Sequence, residues 1–252
     1  MKKINIYTLL LLPLVLSACS FSPKIVSVER NFVELNDSIV SPDSLTLALI
    51  APYKKRIDNE MHEVLIISEM PFIKGQPESL LGNLIADLIL KKSKEYYSDK
   101  EESIHFCLLN NGGLRTSLPI GEITRGKIYE LMPFENELVV LTLSGEKTKM
   151  LFNYIARAEG MPVSGIKMGV SQGKAVNILI NGQAFDESKN YKVVTSDYLS
   201  GGGDKMSFFN DPIKIENLNE KLRDAIIEYM KEEHKKGNLL NSKLDQRIYY
   251  EQ

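Results

Sequence analysis

The run Ile104–Leu109, "IHFCLL", contains no formal charge and a single polar side chain, His105. A short, nearly continuous apolar run of this kind reads as a buried strand. It opens at once into Asn110–Arg115, "NNGGLR". A strand that leaves the core through such a turn has two uses, a solvated reversal or a loop shaped for a ligand. Gly112 and Gly113 permit positive φ and let a ligand come close to backbone N–H groups. Asn110 and Asn111 carry both donors and acceptors. Arg115 offers a planar fork suited to a carboxylate, a phosphate or a pair of hydroxyls. These residues by themselves leave both readings open.

The segments around this strand mix helix and strand patterns without regular βαβ alternation, which predicts a single α+β domain. "IVSVERNFVEL" (25–35) reads as one strand in an otherwise patternless stretch. "SPDSLTLALIAPYKKRIDNEMHEV" opens with the cap-type residues Ser41 and Asp43 and continues amphipathically. Pro52 calls for a kink or a late start. "VLIISEM" reads as a strand. Leu80, Leu81, Leu84, Ile85, Leu88 and Ile89 recur at helical spacing. "EITRGKIYELM" reads as a short helix and "NELVVLTLSG" as a strand. "EKTKMLFNYIARAE" reads as a helix with Met150, Leu151, Tyr154 and Ile155 on one face. "GIKMGV", "AVNILING" and "YKVVTSDYL" read as strands, the first two antiparallel around "SQGK". "NEKLRDAIIEYMKEEHKK" closes the chain as a helix with its basic end last, as the helix dipole favours.

The N-terminus reads as a targeting segment. "MKK" is a short positive region and residues 4–18 are an apolar run of signal-peptide length ending in "LSAC". This resembles a bacterial lipobox, which implies a signal peptide over 1–18, lipidation of Cys19 and a tether over 19–40. The expected location is the bacterial cell envelope, with membrane attachment through lipid. An ordinary signal peptide with a chance cysteine is the other reading. Cys107, inside the apolar run, reads as a buried thiol. The net charge is −2, without the basic excess of a nucleic-acid polymer binder.

Self-contained hydrolytic chemistry is hard to find. His62, His105 and His234 are not spaced as metal ligands. There is no P-loop and no convincing Ser-His-Asp arrangement. Two further turns carry aromatic residues: Phe134 follows Pro133 ahead of a strand, and Tyr198 precedes Gly201–Gly203 and Asp204. Each has a plain alternative, a core ring or a capping aspartate. Together they could clamp a planar heterocycle on both faces.

"GNLIADLIL", "NNGGLR", "IYELMPFENELVVLTLSG" and "YKVVTSDYLSGGGDKMSFF", in this order, closely resemble the C-terminal domain of the 5′-nucleotidases, over roughly residues 45–235. The resemblance implies a mixed-sheet domain over 41–252 that binds a nucleoside or nucleotide. "LIAPYKKRIDNEMHEVL" looks like that family's interdomain helix. The resemblance maps Phe134 and Tyr198 onto the rings that sandwich the base and Asn110 onto a residue touching the base. Asp204 maps onto the acid holding ribose hydroxyls, and Arg115 onto the arginine reaching ribose or phosphate. Gly112 and Gly113 shape the same loop. Tyr198 stands where phenylalanine is commoner, and "FIKGQPESLLGNL" offers Lys74 where many members have an arginine. In the family, a separate N-terminal domain holds a divalent metal pair. Residues 19–40 are too few for a domain, which needs about 50. The expectation is therefore the substrate half of a split 5′-nucleotidase working with a separate metallophosphatase chain. A non-catalytic nucleoside-binding lipoprotein and a relic domain are the alternatives.

Overall fold

The computed structural model describes residues 24–32, 43–97 and 103–251. The signal segment, Cys19 and most of the tether lie outside them. The chain separates into two units, Met1–Leu49 and Ile50–Gln252. In the first unit, residues 24–32 form no strand. Ile25, Val26, Val28 and Phe32 are all strongly exposed, and an extended segment with nothing to pair or bury against does not hold as a strand. Helix α1 (Ser44–Met61) starts at Asp43, whose carboxylate accepts from the N–H groups of Leu45 (3.2 Å) and Thr46 (3.3 Å). Pro52 lies inside α1, so the late start is excluded, and no residue of this helix is buried.

In the second unit, a five-stranded sheet has the order β10-β4-β9-β2-β5. Its strands are β2 (Phe106–Leu108), β4 (Glu137–Leu143), β5 (Val163–Ser164), β9 (Tyr191–Ser196) and β10 (Lys214–Lys221). A single-turn helix, α5 (Asp197–Ser200), follows β9 directly. Helices α2 (Leu80–Tyr96) and α6 (Leu222–Lys235) cover one face, where Cys107, Val140 and Val194 join Leu84, Leu88 and Ile226 in one core. Helix α4 (Gly145–Arg157) packs on the other face, where Phe106, Leu108, Leu141 and Val193 meet Leu151, Phe152 and Ile155. Strands β2 and β9 are thus buried on both sides. That is why "IHFCLL" lacks the alternation of a one-sided strand.

A second sheet has the order β11-β6-β7-β8. Strands β6 (Ile166–Ser171) and β7 (Lys174–Ile180) form the expected antiparallel hairpin, turning through Gln172 (φ 50°) and Gly173 (φ 71°). Strand β8 (Gln183–Ala184) extends β7, and β11 (Ile248–Tyr250) runs parallel to β6. A two-stranded sheet pairs β1 (Val64–Ser68) with β3 (Gly121–Thr124).

Further expectations are corrected here. Strand β9 ends at Ser196, so Asp197–Leu199 of "YKVVTSDYL" belong to helix α5. The segment "EITRGKIYELM" is not all helix: its start is β3, and helix α3 (Arg125–Leu131) begins only after Thr124, whose side chain accepts from Lys127 N. Met150 points away from the buried face of α4 and is exposed, while Leu151 and Ile155 are buried. The mixed α/β architecture itself is as expected.

Candidate functional site

The topology gathers three loops at one end of the large sheet. Strands β2 and β9 are parallel, with Cys107 opposite Val194. Strand β4 is antiparallel to β9, with Leu138 opposite Ser196. The C-terminal ends of β2 and β9 and the N-terminal end of β4 therefore share an edge. From it emerge "NNGGLR", the segment Met132–Asn136, and the turn Tyr198–Asp204.

These loops enclose a cavity of about 270 Å³ lined by Asn110, Gly112, Gly113, Arg115, Phe134, Asn136, Tyr198 and Asp204. This is just below the range of about 300–1,000 Å³ usual for ligand pockets. The structure thus brings together all seven residues singled out for binding, and adds Asn136. Phe134 and Tyr198 are 42% and 49% exposed, so neither ring is a core residue. Lys74 is not among the lining residues; its ammonium donates to the Leu114 carbonyl (2.9 Å).

Asp204 is the hub of the polar side. One carboxylate oxygen accepts from Asn110 Nδ2 (2.6 Å) and the other from the Tyr198 hydroxyl (2.9 Å). Its backbone is left-handed (φ 52°), an uncommon conformation that aspartate tolerates better than most residues. A bond from the Tyr154 hydroxyl to the Asp204 carbonyl (2.8 Å) helps hold it. The bond to Asp204 pushes the Tyr198 phenol above its ordinary pKa, so the hydroxyl remains a donor at neutral pH. Burial, followed by the nearby Asp204 charge, does the same to Tyr154.

The glycines are used for close approach. A Cβ on Gly203 would lie 2.6 Å from both the Tyr198 carbonyl oxygen and ring Cε1, and one on Gly113 would lie 2.7 Å from Asn110 Oδ1. The turn closes with Gly113 N–H donating to the Asn110 carbonyl (3.2 Å). The Arg115 guanidinium sits 5.9 Å from the Phe134 ring centre and donates to the Gly112 carbonyl (3.3 Å).

Sequence reasoning missed Asn136 and Tyr154. Asn136 lies two residues past Phe134, in the same loop, and was legible by position. Tyr154 stands on the expected buried stripe of α4 and gave no separate signal. The pentapeptide Gly169–Gly173 has G-x-S-x-G spacing, but it forms the β6–β7 hairpin, whereas a nucleophile elbow needs a strand-to-helix turn. His62 Nδ1 bonds the Asp58 carbonyl, and His105 Nδ1 accepts from Lys192 N (3.0 Å). Among the described residues no group of three His, Cys, Asp or Glu side chains could hold a metal ion. The divalent metal pair of the resemblance does not fit the described part of this chain.

The sequence profile for "5′-nucleotidase, C-terminal domain" matches residues 67–211, more than half of the chain. The chain is 26% identical over 190 residues to the 5′-nucleotidase of Vibrio vulnificus, covering 70% of this chain and 32% of that protein. It is 30% identical over 187 residues to the trifunctional nucleotide phosphoesterase protein YfkN of Bacillus subtilis, covering 68% of this chain and 12% of that one. The chain thus spans about a third or less of these relatives. Among solved structures, a 5′-nucleotidase precursor from Thermus thermophilus superposes with a TM-score of 0.68 at 26% identity, over 81% of this chain and 42% of that one. The NAD nucleotidase of Haemophilus influenzae shares the fold, with a TM-score of 0.61 at 20% identity over 83% of this chain and 42% of that one.

Proposed function

The chain belongs to the 5′-nucleotidase C-terminal domain family, and from that membership we propose that it recognises a nucleoside or nucleotide as the substrate half of a split 5′-nucleotidase. The observation that carries this reading is the cavity at the sheet edge. Two half-exposed rings, Phe134 and Tyr198, line it together with a carboxylate, two amides and a guanidinium. Large aromatic rings left in a concave site have stacking surface to offer a planar base. Asp204 retains acceptor capacity on both oxygens beyond its two present bonds, since a carboxylate has about four lone-pair sites. It can take a hydroxyl pair while Asn110 reads the base and Arg115 reaches toward a phosphate.

The role of this chain is binding and orientation, the part of catalysis that comes from holding reactants in place. The divalent metal pair and the attacking water would come from a separate metallophosphatase chain. Anchoring through a lipid on Cys19 would place this domain at a bacterial membrane surface, in the cell envelope. Calorimetric titration of the chain with adenosine and AMP tests the binding reading. Saturable one-to-one binding supports it, and no binding at millimolar ligand, alone or with the metallophosphatase partner added, sinks it.

A further inference from the structure

The Phe134 ring is exposed, so core packing does not aim it. Something must hold the irregular segment Met132–Asn136 on which it stands. The geometry points to Arg223, at the start of α6, as the positioning residue for the Phe134 side of the clamp. Arg223 is only 4% exposed. Its Nη1 faces three successive carbonyls, those of Met132 (3.4 Å), Pro133 (3.3 Å) and Phe134 (3.5 Å). Its Nη2 pairs with Glu135, which Lys221 also meets. Beneath it lies the Tyr129 ring, 4.0 Å from the guanidinium carbon. One residue away, Leu222 N–H donates to the Asn136 carbonyl (2.9 Å).

Each carbonyl contact is long, and alone would be a weak hydrogen bond. Their convergence matters more. Three carbonyl dipoles point at one buried positive charge, where solvent screens little. Turning any of these peptides away would cost that charge one of its contacts, so the three carbonyls are held in one orientation together. The bond from Lys221, and after it the bond from Arg223, hold the Glu135 carboxyl down to about 2. Glu135 therefore stays ionised in ordinary buffers and remains a partner. A lysine could not replace this arrangement. It has no plane to stack on Tyr129 and no fork to serve Glu135 and the carbonyls together.

This role rests on the nucleoside reading for its functional meaning, but its test has a readout that does not. The chain contains no tryptophan, so Phe134→Trp installs a single fluorophore on the loop. Adding Arg223→Lys should lower the anisotropy of that indole without changing the far-ultraviolet circular dichroism. In the parent chain, Arg223→Lys should weaken adenosine binding roughly five- to tenfold, within the ceiling of about ten- to a hundredfold set by losing one base–ring stack. In a Phe134→Ala background the same change should have no effect on affinity. If Arg223→Lys does not fold, Glu135→Gln, at a largely exposed carboxylate, should show a smaller loss with the same dependence on Phe134. Unchanged anisotropy, or equal losses with and without Phe134, overturns the positioning role. A freed indole in a chain that binds no adenosine upholds the positioning role and counts against the nucleoside reading instead.

Discussion

The Tyr198 hydroxyl, 2.9 Å from an Asp204 oxygen, gives one side chain two jobs: a face for stacking and a donor that fixes the carboxylate. The two can be separated by substitution. Tyr198→Ala and Phe134→Ala each remove a ring, and a base–aromatic stack is worth about 1–3 kcal/mol, so adenosine affinity should fall roughly ten- to a hundredfold. Both rings are about half exposed, so the melting temperature should move little; a large drop in melting with unchanged affinity would mark them as core residues instead. Tyr198→Phe keeps the ring and removes only the donor. A hydrogen bond to a charged group contributes about 1.5–3 kcal/mol when well formed. At this solvent-exposed position the expected loss is smaller, a few-fold. It should be larger for adenosine than for deoxyadenosine, because Asp204 is assigned to the ribose hydroxyls. Equal losses for both ligands in calorimetry would remove Asp204 from that role.

At the scale of elements, α6 decides more than its amphipathic pattern suggests. Glu228 on α6 accepts from Tyr96 of α2, and the buried Lys92 meets Glu95, Glu228 and Glu232. Lys231 and Arg125 both reach Glu63. Glu228 is held below the ordinary carboxylate range, chiefly by the Tyr96 bond, and Glu63 by Lys231 and then Arg125. Glu233 is held down to about 2, first by Asn238 and then by Lys236. Carboxylates depressed in the folded state contribute stability that is present above their unfolded pKa, about 4.3, and is lost as pH falls through the folded value. Thermal stability should therefore be flat from about pH 7 to 5 and decline from about pH 4.5 toward 2. Glu228→Gln should flatten part of that decline in pH-dependent melts, and an unchanged acid limb would show that α6 docks without its carboxylates. Such a network was not legible in the sequence, where the α6 charges read only as a basic end favoured by the helix dipole. Helices α2, α4 and α6 were legible because their apolar stripes repeat within one element. Strand β10, "KIENLNEK", was not, since it is a sheet-edge strand whose Ile215 is exposed, so no apolar alternation marks it. The loop residues Asn110, Phe134 and Asp204 stood out by their turns, but their roles came only through the resemblance. Arg223 was missed because its partners lie about 90 residues earlier in the chain.

For the whole molecule, the proposed split-enzyme reading makes activity a question about two chains, and that reading can be tested directly. The purified mature chain should not hydrolyse AMP with or without manganese. Hydrolysis that appears only when a metallophosphatase domain is added would support the split-enzyme reading, and metal-dependent hydrolysis by a homogeneous preparation of this chain would end it. Cys19→Ala should release the protein from the membrane fraction or leave it unprocessed; fractionation and migration like the parent would remove the lipid anchor. At the other end, strand β11 lies along β6 in parallel, and Arg247 just before it is buried in bonds to Asp87 (2.7 and 3.0 Å), Asp245 and the Val163 carbonyl. This three-residue strand thus stands as the sheet edge in place of the longer β6, and a very short edge offers little to pair with. Without Ile248–Tyr250, β6 would present a bare row of unpaired N–H and C=O groups, the kind of edge on which another chain can add. Ile248–Tyr250 do not line the cavity, so trimming them should leave it intact and yet make the domain self-associate more readily than the parent, visible as concentration-dependent light scattering.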